Sequence, residues 1–573
     1  MIQLKINNIE LSVPEKTTIL NAARMNNINI PTLCYYPDLG LQSDCRICVV
    51  EIDGQKGLAT SCSTKVREGM VVKTNSPRVL NARKTITELI LSNHDANCTA
   101  CPKNLKCELQ SLANKLGIDQ NRFEPVLRVK PIDTSNPSLI RNPNRCIKCG
   151  RCIDVCKNVQ GMNVLELMGR GHDAEITPAY GRFLSDESCT YCGQCASVCP
   201  VGAIIENDET DRVWKQLHDK DKTTIVQVAP AVRVSLGEAL GLPIGSIVTG
   251  KLVTALKLLG FHYVFDTDFT ADLTIIEEGH ELLHRVTNNG VLPMITSCCP
   301  GWINYAEQRY PSILSHISTC KSPQQMFGAL AKTYFTKIIQ KEPKDVIVVS
   351  IMPCTAKKYE AKRDEMKSDG IHQDVDIVLT TRELSKMLDQ MGVDFAKLDE
   401  TPFDNPFGIT TGAAAIFGAT GGVMEAALRT VYEVVNHQPL ESIELTEVRG
   451  LDGIKETSVE LGGNVYRFAV AHSLSNAKTL VDQVSNGTSP YTFIEIMCCP
   501  GGCIGGGGQP YGTIQKTRRD RIEATYLLDQ SMPLRKSHES PAVKEIYRAF
   551  LGEPLGELSH KLLHTHYHSR QHT

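Results

Sequence analysis

The chemistry available to this 573-residue chain lies in its 22 cysteines. Fifteen precede residue 200, and the other seven begin at Cys298. In an oxidising compartment such a count reads as disulfides; in a reducing cytosol, clustered thiols bind metal. The division into tight groups favours metal, because disulfide frameworks rarely segregate in this way. Cys34, Cys45, Cys48 and Cys62 form the first group, and four thiolates suit a 2Fe–2S cluster or a zinc ion. The second, HDANCTACPKNLKC, offers His94, Cys98, Cys101 and Cys107. Three thiols and an imidazole suit a zinc knuckle as well as an iron–sulfur cluster, and the spacing alone decides neither.

The third group is more specific. CIKCGRCIDVC and CTYCGQCASVCP both match the bacterial two-cluster ferredoxin run, in which the fourth cysteine crosses to the other cluster. One 4Fe–4S cluster is therefore expected on Cys146, Cys149, Cys152 and Cys199, and the other on Cys189, Cys192, Cys195 and Cys156. A proline follows Cys199, whereas Lys157 follows Cys156, a departure that leaves the ligands intact. Zinc has no use for a crossed fourth cysteine, and these motifs favour iron–sulfur in the neighbouring groups. Clusters in series form an electron wire, and a wire needs a terminus where electrons do chemistry.

Three separated segments supply one: MITSCCPGW with Cys298 and Cys299, IMPCTAKKYE with Cys354, and EIMCCPGGCIGGGGQ with Cys498, Cys499 and Cys503. In this order they resemble the three signature motifs of the FeFe-hydrogenases, TSCCPxW, MPCxxKxxE and ExMxCPxGCxxGGG. The first two cysteine groups likewise resemble the accessory modules of the larger clostridial-type members. These modules are shared with the large iron–sulfur subunit of respiratory NADH dehydrogenases, where the His/Cys3 site is a 4Fe–4S cluster. The resemblance covers nearly the whole chain. It implies a hydrogenase that reversibly reduces protons to H2 and exchanges electrons with a ferredoxin or flavodoxin. It further implies one 2Fe–2S cluster, three accessory 4Fe–4S clusters and an H-cluster. The last is a 4Fe–4S cubane joined to a diiron unit with CO, cyanide and azadithiolate ligands, delivered by maturation proteins.

Carried over by position, Cys299, Cys354, Cys499 and Cys503 match the cubane ligands, Cys503 also bridging to the diiron unit. Lys357 matches the donor to a cyanide. Met352, Met497, Phe417, Pro230, Ala229 and Gln324 match pocket residues. Cys298 matches a proton-passing thiol, and the implied relay runs Cys298, Glu278, Ser318, Glu281, Arg285. The two glutamates and the arginine have helical spacing in EEGHELLHR; without the resemblance they read as a solvated helix face. Cys498 stands where the family usually has alanine or another small residue. Packing is its default role, and a sharper expectation is a thiol that alters the response to oxidants. Cys320 reads as a buried small hydrophobe. The same resemblance leaves three rival readings to discriminate: a non-catalytic electron-transfer or assembly relative, a hydrogen sensor, and a subunit of an NADH-linked complex.

These residues need elements to position them. IQLKINNIELSV reads as a hairpin around an Asn-Asn turn, and a helix and cysteine loop follow, which suggests a β-grasp module. Residues 80–125 read as mostly helical. After residue 222 apolar runs alternate with amphipathic helices, the pattern of an α/β domain with largely parallel sheets. The runs are TIVQVAP, HYVFDT, LPMITS, VIVVSIMP, DIVLTT and TFIEIM. Cys299, Cys354 and Cys499 each follow such a run, where open α/β sheets place ligands. The expected fold is multidomain α+β and α/β. Residues 1–79 form a β-grasp 2Fe–2S ferredoxin module, 80–126 a His/Cys3 cluster domain and 127–209 a two-cluster ferredoxin-like domain. Residues 210–573 form a two-lobed α/β H-cluster domain that closes with short helices and a small-subunit-like segment, 516–573. GSIVTGKL lacks the P-loop hydroxyl at Leu252 and reads as a turn entering a helix. The His-rich end, HKLLHTHYHSRQHT, reads as a surface helix and tail.

With 61 basic and 64 acidic residues the chain has no basic stripe, so nucleic acid is not expected as a partner. No run approaches the ~18 apolar residues of a membrane helix, and the start lacks a signal-peptide pattern. A soluble, cytoplasmic monomer is expected.

Overall fold

A computed structural model describes residues 1–124, 129–440 and 442–570. The expected boundary at 126/127 and the last three residues of the His-rich tail lie outside the described residues. The N-terminal sheet has strand order β2-β1-β5-β3-β4, built from β1 (Ile2–Ile6), β2 (Ile9–Val13), β3 (Val49–Ile52), β4 (Ala59–Thr60) and β5 (Met70–Lys73). Asn7 and Asn8 both adopt positive φ, the conformation a two-residue hairpin demands. β1 pairs in parallel with β5, and the helix Ile19–Met25, capped by Thr18, packs Leu20 and Ala23 into the sheet's core. This is the expected β-grasp arrangement.

Residues 80–124 depart from the expectation. Helix is confined to Pro77–Leu91 and Glu108–Lys115, and 92–107 is irregular. Four metal-type side chains at close spacing must turn towards a common point, which a helix with one residue per 1.5 Å of rise does not permit. The two-cluster region that follows is tied by β6 (Leu139–Arg141) pairing antiparallel with β9 (Ile204–Glu206). A hairpin of β7 (Glu166–Met168) and β8 (Glu175–Thr177) completes its strands. Each CxxCGxC run enters a short helix through its glycine, Gly150 or Gly193, at positive φ.

Beyond residue 222 there are two four-stranded sheets. The first, order β11-β10-β13-β14, is wholly parallel: β10 (Thr223–Val228), β11 (Tyr263–Asp266), β13 (Val346–Met352) and β14 (Ile377–Thr380). Every residue of β10 is buried, as expected for a strand covered on both faces. The second, order β12-β17-β16-β15, has β12 (Met294–Ile295), β17 (Phe493–Met497) and β16 (Asn464–His472) in parallel, with β15 (Ile454–Leu461) antiparallel at its edge. The hairpin β15–β16 is absent from the expected strands. Its edge strand alternates exposed polar residues with short apolar ones (KETSVEL), so no apolar run announces it. The closing segment also differs: Gln515–Ser531 is a 17-residue helix rather than a short one. The His-rich end is not a free surface tail either. His564 and Thr565 are buried, and the backbone of 563–565 bonds to residues 319 and 321.

The two-cluster region seats directly on the second half of the chain. A Cβ at Gly507 would stand 2.1 Å from Cys192 O, so only glycine permits that approach. Arg382 locks the joint. Its guanidinium donates to Glu206 at 2.8 and 3.0 Å and to the carbonyls of Gly507 and Gln509 at 2.7 and 2.6 Å. Arg382→Met leaves the largely buried Glu206 carboxylate without its cation, at a cost of roughly 3–5 kcal/mol. It should lower the unfolding temperature and speed amide exchange at 505–509, measured by calorimetry and hydrogen exchange; unchanged exchange there would show that the loop does not depend on this residue.

Candidate active site

At the carboxyl ends of β13 and β17 lies a cavity of about 80 Å³. Cys299, Cys354, Cys499 and Cys503 all line it. Cys299 is the N-cap of the helix Pro300–Arg309, Cys354 follows β13, Cys499 follows β17, and Cys503 begins the next turn. None is in a disulfide. Burial pushes the Cys299 thiol up to about 11 and Cys503 up to about 12, and raises Cys354 well above its usual range. Thiolates here are stable only beside a compensating cation.

Ala229, Pro230, Met352, Phe417 and Met497 supply the apolar wall, and Gln324 and Lys357 the polar one. Lys357 is almost fully buried, yet its ammonium is held charged. Burial opposes the charge, but the Glu360 carboxylate, 2.9 Å away, more than offsets this. Lys357 Nζ also donates to Cys298 O at 3.1 Å. Glu360 additionally accepts from Ser322 Oγ at 2.9 Å and Gln324 Nε2 at 3.0 Å. It is the hub that orients the polar wall, and sequence reasoning passed over it although it is the E of MPCxxKxxE. Glu495, the E of the third motif, accepts from the backbone N–H groups of Gly421 and Met424, both at 2.7 Å, and so anchors the start of the helix Gly422–Asn436.

Cys298 faces the cavity from the residue before Cys299. Glu278 and Glu281 are buried on the helix Asp268–Thr287, not on a solvated face. The Glu278 carboxyl lies close to Ser318 and the Ser297 backbone, and among the described residues its buried Oε1 has no hydrogen-bond partner. Ser318 Oγ donates to Glu281 at 2.8 Å, and Arg285 donates to Glu281 at 2.6 Å. Burial, with the nearby Glu281 charge, pushes the Glu278 carboxyl up to about 8.

The other cysteine groups converge as well. Cys146, Cys149, Cys152 and Cys199 line one cavity, and Cys156, Cys189, Cys192 and Cys195 line a second. Backbone N–H groups of Lys148, Tyr191 and Val164 donate to Cys146, Cys189 and Cys156, each at 3.4 Å. Cys48 and Cys62 sulfurs stand 3.3 Å apart, and Cys34 bonds to Cys45. His94, Cys98, Cys101 and Cys107 share the loop 92–107, and the buried His94 Nδ1 has no hydrogen-bond partner. Such an orphaned nitrogen suits a metal ligand.

Cys320 is fully buried, as expected, with its carbonyl accepting from Ser297 Oγ at 2.7 Å. Cys498 is also buried, and its thiol is raised well above the usual range by its thiol neighbours and by burial. It is therefore not the exposed thiolate that ready oxidation requires. Among the described residues, no helix is long and apolar enough to cross a membrane.

Comparison with known families places hydrogenase and iron–sulfur modules in series. Residues 1–77 match a 2Fe-2S iron-sulfur cluster binding domain, 83–122 the NADH-ubiquinone oxidoreductase-G iron-sulfur binding region, and 137–205 the ferredoxin-like domain of NADH-quinone oxidoreductase subunit 3. Residues 222–507 match the iron only hydrogenase large subunit, C-terminal domain, and 515–570 the iron hydrogenase small subunit. The chain is 48% identical to the NADP-reducing hydrogenase subunit HndD of Solidesulfovibrio fructosivorans, over 100% of this chain and 99% of that one. It is 41% identical to iron hydrogenase 1 of Clostridium pasteurianum, over 98% and 99%. A solved variant of the FeFe-hydrogenase HydA1 from Chlamydomonas reinhardtii superposes with a TM-score of 0.58 at 43% identity, covering 64% of this chain and 100% of that one. Full-length identity to an iron hydrogenase, with the cysteine-lined cavity at the ends of both sheets, makes this chain a member of the FeFe-hydrogenase family, an iron–sulfur oxidoreductase acting on H2.

Proposed function

We propose that the chain reversibly reduces two protons to H2, with electrons from a ferredoxin or flavodoxin passed along one 2Fe–2S and three 4Fe–4S clusters. The observation that carries this reading is one apolar cavity reached by four cysteines from three segments, by Lys357 and by Cys298. Cys299, Cys354, Cys499 and Cys503 would hold the cubane, and Cys503 would also bridge to the diiron unit. When bound, the diiron unit with its CO, cyanide and azadithiolate ligands supplies the redox chemistry that joins protons and electrons. Lys357 holds a fixed positive charge towards an anionic ligand, in a dry wall that strengthens its field. Met352, Met497 and Phe417, with Ala229 and Pro230, exclude water.

The proton path is the relay from Arg285 inward. Arginine does not release its own protons, so Arg285 orients Glu281 rather than carrying charge. Glu281 holds the proton that enters, Ser318 hands it on to Glu278, and Glu278 delivers it to Cys298. A neutral Glu278 is a donor that can be reloaded near neutral pH. A cytoplasmic, monomeric enzyme supplied with its diiron unit by maturation proteins belongs to the same reading.

A second reading is favoured by one observation: the relative 48% identical over the whole chain is named as a subunit of an NADP-reducing hydrogenase. The chain would then receive electrons from a nucleotide-oxidising partner.

Three experiments follow. Loaded with its diiron unit, the protein should evolve H2 from a reduced low-potential ferredoxin, and Cys298→Ser should lower turnover by about 10²–10⁴-fold while the infrared CO and cyanide bands remain. Full activity in that variant would remove Cys298 from the relay. The isolated chain should be inactive with NADPH alone; activity that appears only on adding a nucleotide-binding partner, and none with ferredoxin, would establish the second reading. Glu278 provides a pH test. Its folded carboxyl is raised from 4.5 to about 8, so its share of stability is complete below about 4.5 and is lost as pH rises through about 8. That share is on the order of a few kcal/mol. Glu278→Gln should flatten the fall in unfolding temperature between pH 5 and 8.5; parallel curves for the two proteins would contradict a raised folded pKa.

A further inference from the structure

Of the three cysteines in Glu495–Gln509, Cys498 has no ligand role. Its surroundings give it another. Its backbone N–H donates to Cys299 Sγ at 3.3 Å. Its side chain lies close to Cys192, and its thiol donates to Gln160 Oε1 at 3.4 Å. Cys498 lines the catalytic cavity, whereas Gln160 and Cys192 line the cavity with Cys156, Cys189 and Cys195. One residue therefore bonds to a sulfur of the first site and to a lining side chain of the second.

Gln160 supplies an independent observation. It is 1% exposed, and its buried Nε2 has no hydrogen-bond partner among the described residues. A buried amide donor is unfavourable unless something accepts from it, and the sulfur of a cluster in that cavity is such an acceptor. With Oε1 held by the Cys498 thiol, the amide presents its N–H group to the cavity. Gly301 makes room for the arrangement: a Cβ there would stand 2.8 Å from Cys498 Sγ. Gly301 occupies the variable position of TSCCPxW and Cys498 the small position of ExMxCP, so the two form a complementary pair.

We propose that Cys498 is a positioning residue for electron transfer, which bonds the Cys299 sulfur through its backbone and holds Gln160 through its thiol, so that the Gln160 amide N–H group donates to the second ferredoxin-like cluster. This rests on the reading of Cys192 and Cys299 as cluster ligands. One electron crosses, from the site of Cys192 to that of Cys299; no bond breaks and no proton moves. Donors to cluster sulfur stabilise the reduced, more negative state and raise its potential.

The test uses the full chain carrying its iron–sulfur clusters without the diiron unit, with midpoints read by EPR-monitored potentiometry. Cys498→Ala should shift the reduction equilibrium of the cluster on Cys156, Cys189, Cys192 and Cys195 about tenfold against reduction, about 59 mV for one electron. The other accessory midpoints and the iron content should not change. Cys498→Ser, which retains a donor, should recover part of the shift, and Gln160→Leu should reproduce it. Gly301→Ala should lower the same midpoint in the natural background and have no effect on Cys498→Ala. Unmoved midpoints in both Cys498→Ala and Gln160→Leu would overturn the proposal and leave packing as the role of the thiol. Cys192→Ala separates the two levels: loss of one accessory signal supports the ligand reading, and persistence of all of them would overturn that reading and this inference with it.

Discussion

Everything in the second half of the chain depends on bringing the sulfurs of Cys299, Cys354, Cys499 and Cys503 out of water at one place. Burial alone drives such thiols towards their protonated forms, as the raised values of Cys299 and Cys503 express. The cavity is therefore built for a cationic occupant, and the protein around it must be rigid before that occupant arrives. One parallel and one largely parallel sheet meet the requirement, because the carboxyl ends of their parallel strands are the points at which loops can converge without breaking strand pairing. Cys299 gains further from its place at a helix N-terminus, where the exposed N–H groups and the helix dipole favour a thiolate.

The same geometry separates the electron side from the proton side. Cys298 and Cys299 are adjacent in sequence, yet in the proposed function Cys299 belongs to the sulfur set and Cys298 to the acid set with Glu278 and Ser318. Lys357 sits between these functions, bonded both to Glu360 and to the carbonyl of Cys298. The backbone that presents Cys298 is thus tied to the charge that faces the cavity. On the opposite wall, the close seat of Gly507 on Cys192 and the Arg382 lock keep the two-cluster region at a fixed approach. Electron transfer depends steeply on that approach, so the packing is functional as well as structural.

Much of this was legible in the sequence because metal chemistry dictates spacing. The two CxxCGxC runs pair across each other in space as their spacing requires, and six apolar runs fall on six strands. What stayed hidden has physical causes. The β15–β16 hairpin escaped because its outer strand faces solvent and carries no apolar stretch. The loop 92–107 is masked by its helical flanks, Pro77–Leu91 and Glu108–Lys115, although its own Asn, Asp, Thr and Pro residues are weak helix formers and already mark a break. Glu278 and Glu281 read as a solvated face because helical spacing cannot report what packs against it. Gln160 gave no signal at all: its importance comes from a single unpaired N–H group, a property of tertiary structure alone.

Two adjacent glutamates show how far local context governs function here. Glu277 and Glu278 are consecutive on one helix and both are buried. Burial works against the charge of Glu277, but His564 at 3.2 Å, the Tyr547 hydroxyl and the Leu555 N–H at 2.9 Å more than offset it and lower its pKa. Glu278 has no ion-pair partner among the described residues and is raised by burial and by the Glu281 charge. The helix therefore carries a charged carboxylate on one side and a neutral acid on the other, the separation of pKa values that assigns distinct roles to like groups. The charged one anchors the C-terminal segment. His564 also reaches Thr319 Oγ1 at 2.8 Å, and the backbone of 563–565 bonds along 319–321, next to Ser318. The C-terminal residues thus hold in place the segment next to Ser318, so the proposed proton path would be shaped by a part of the chain that contributes no proton carrier to it.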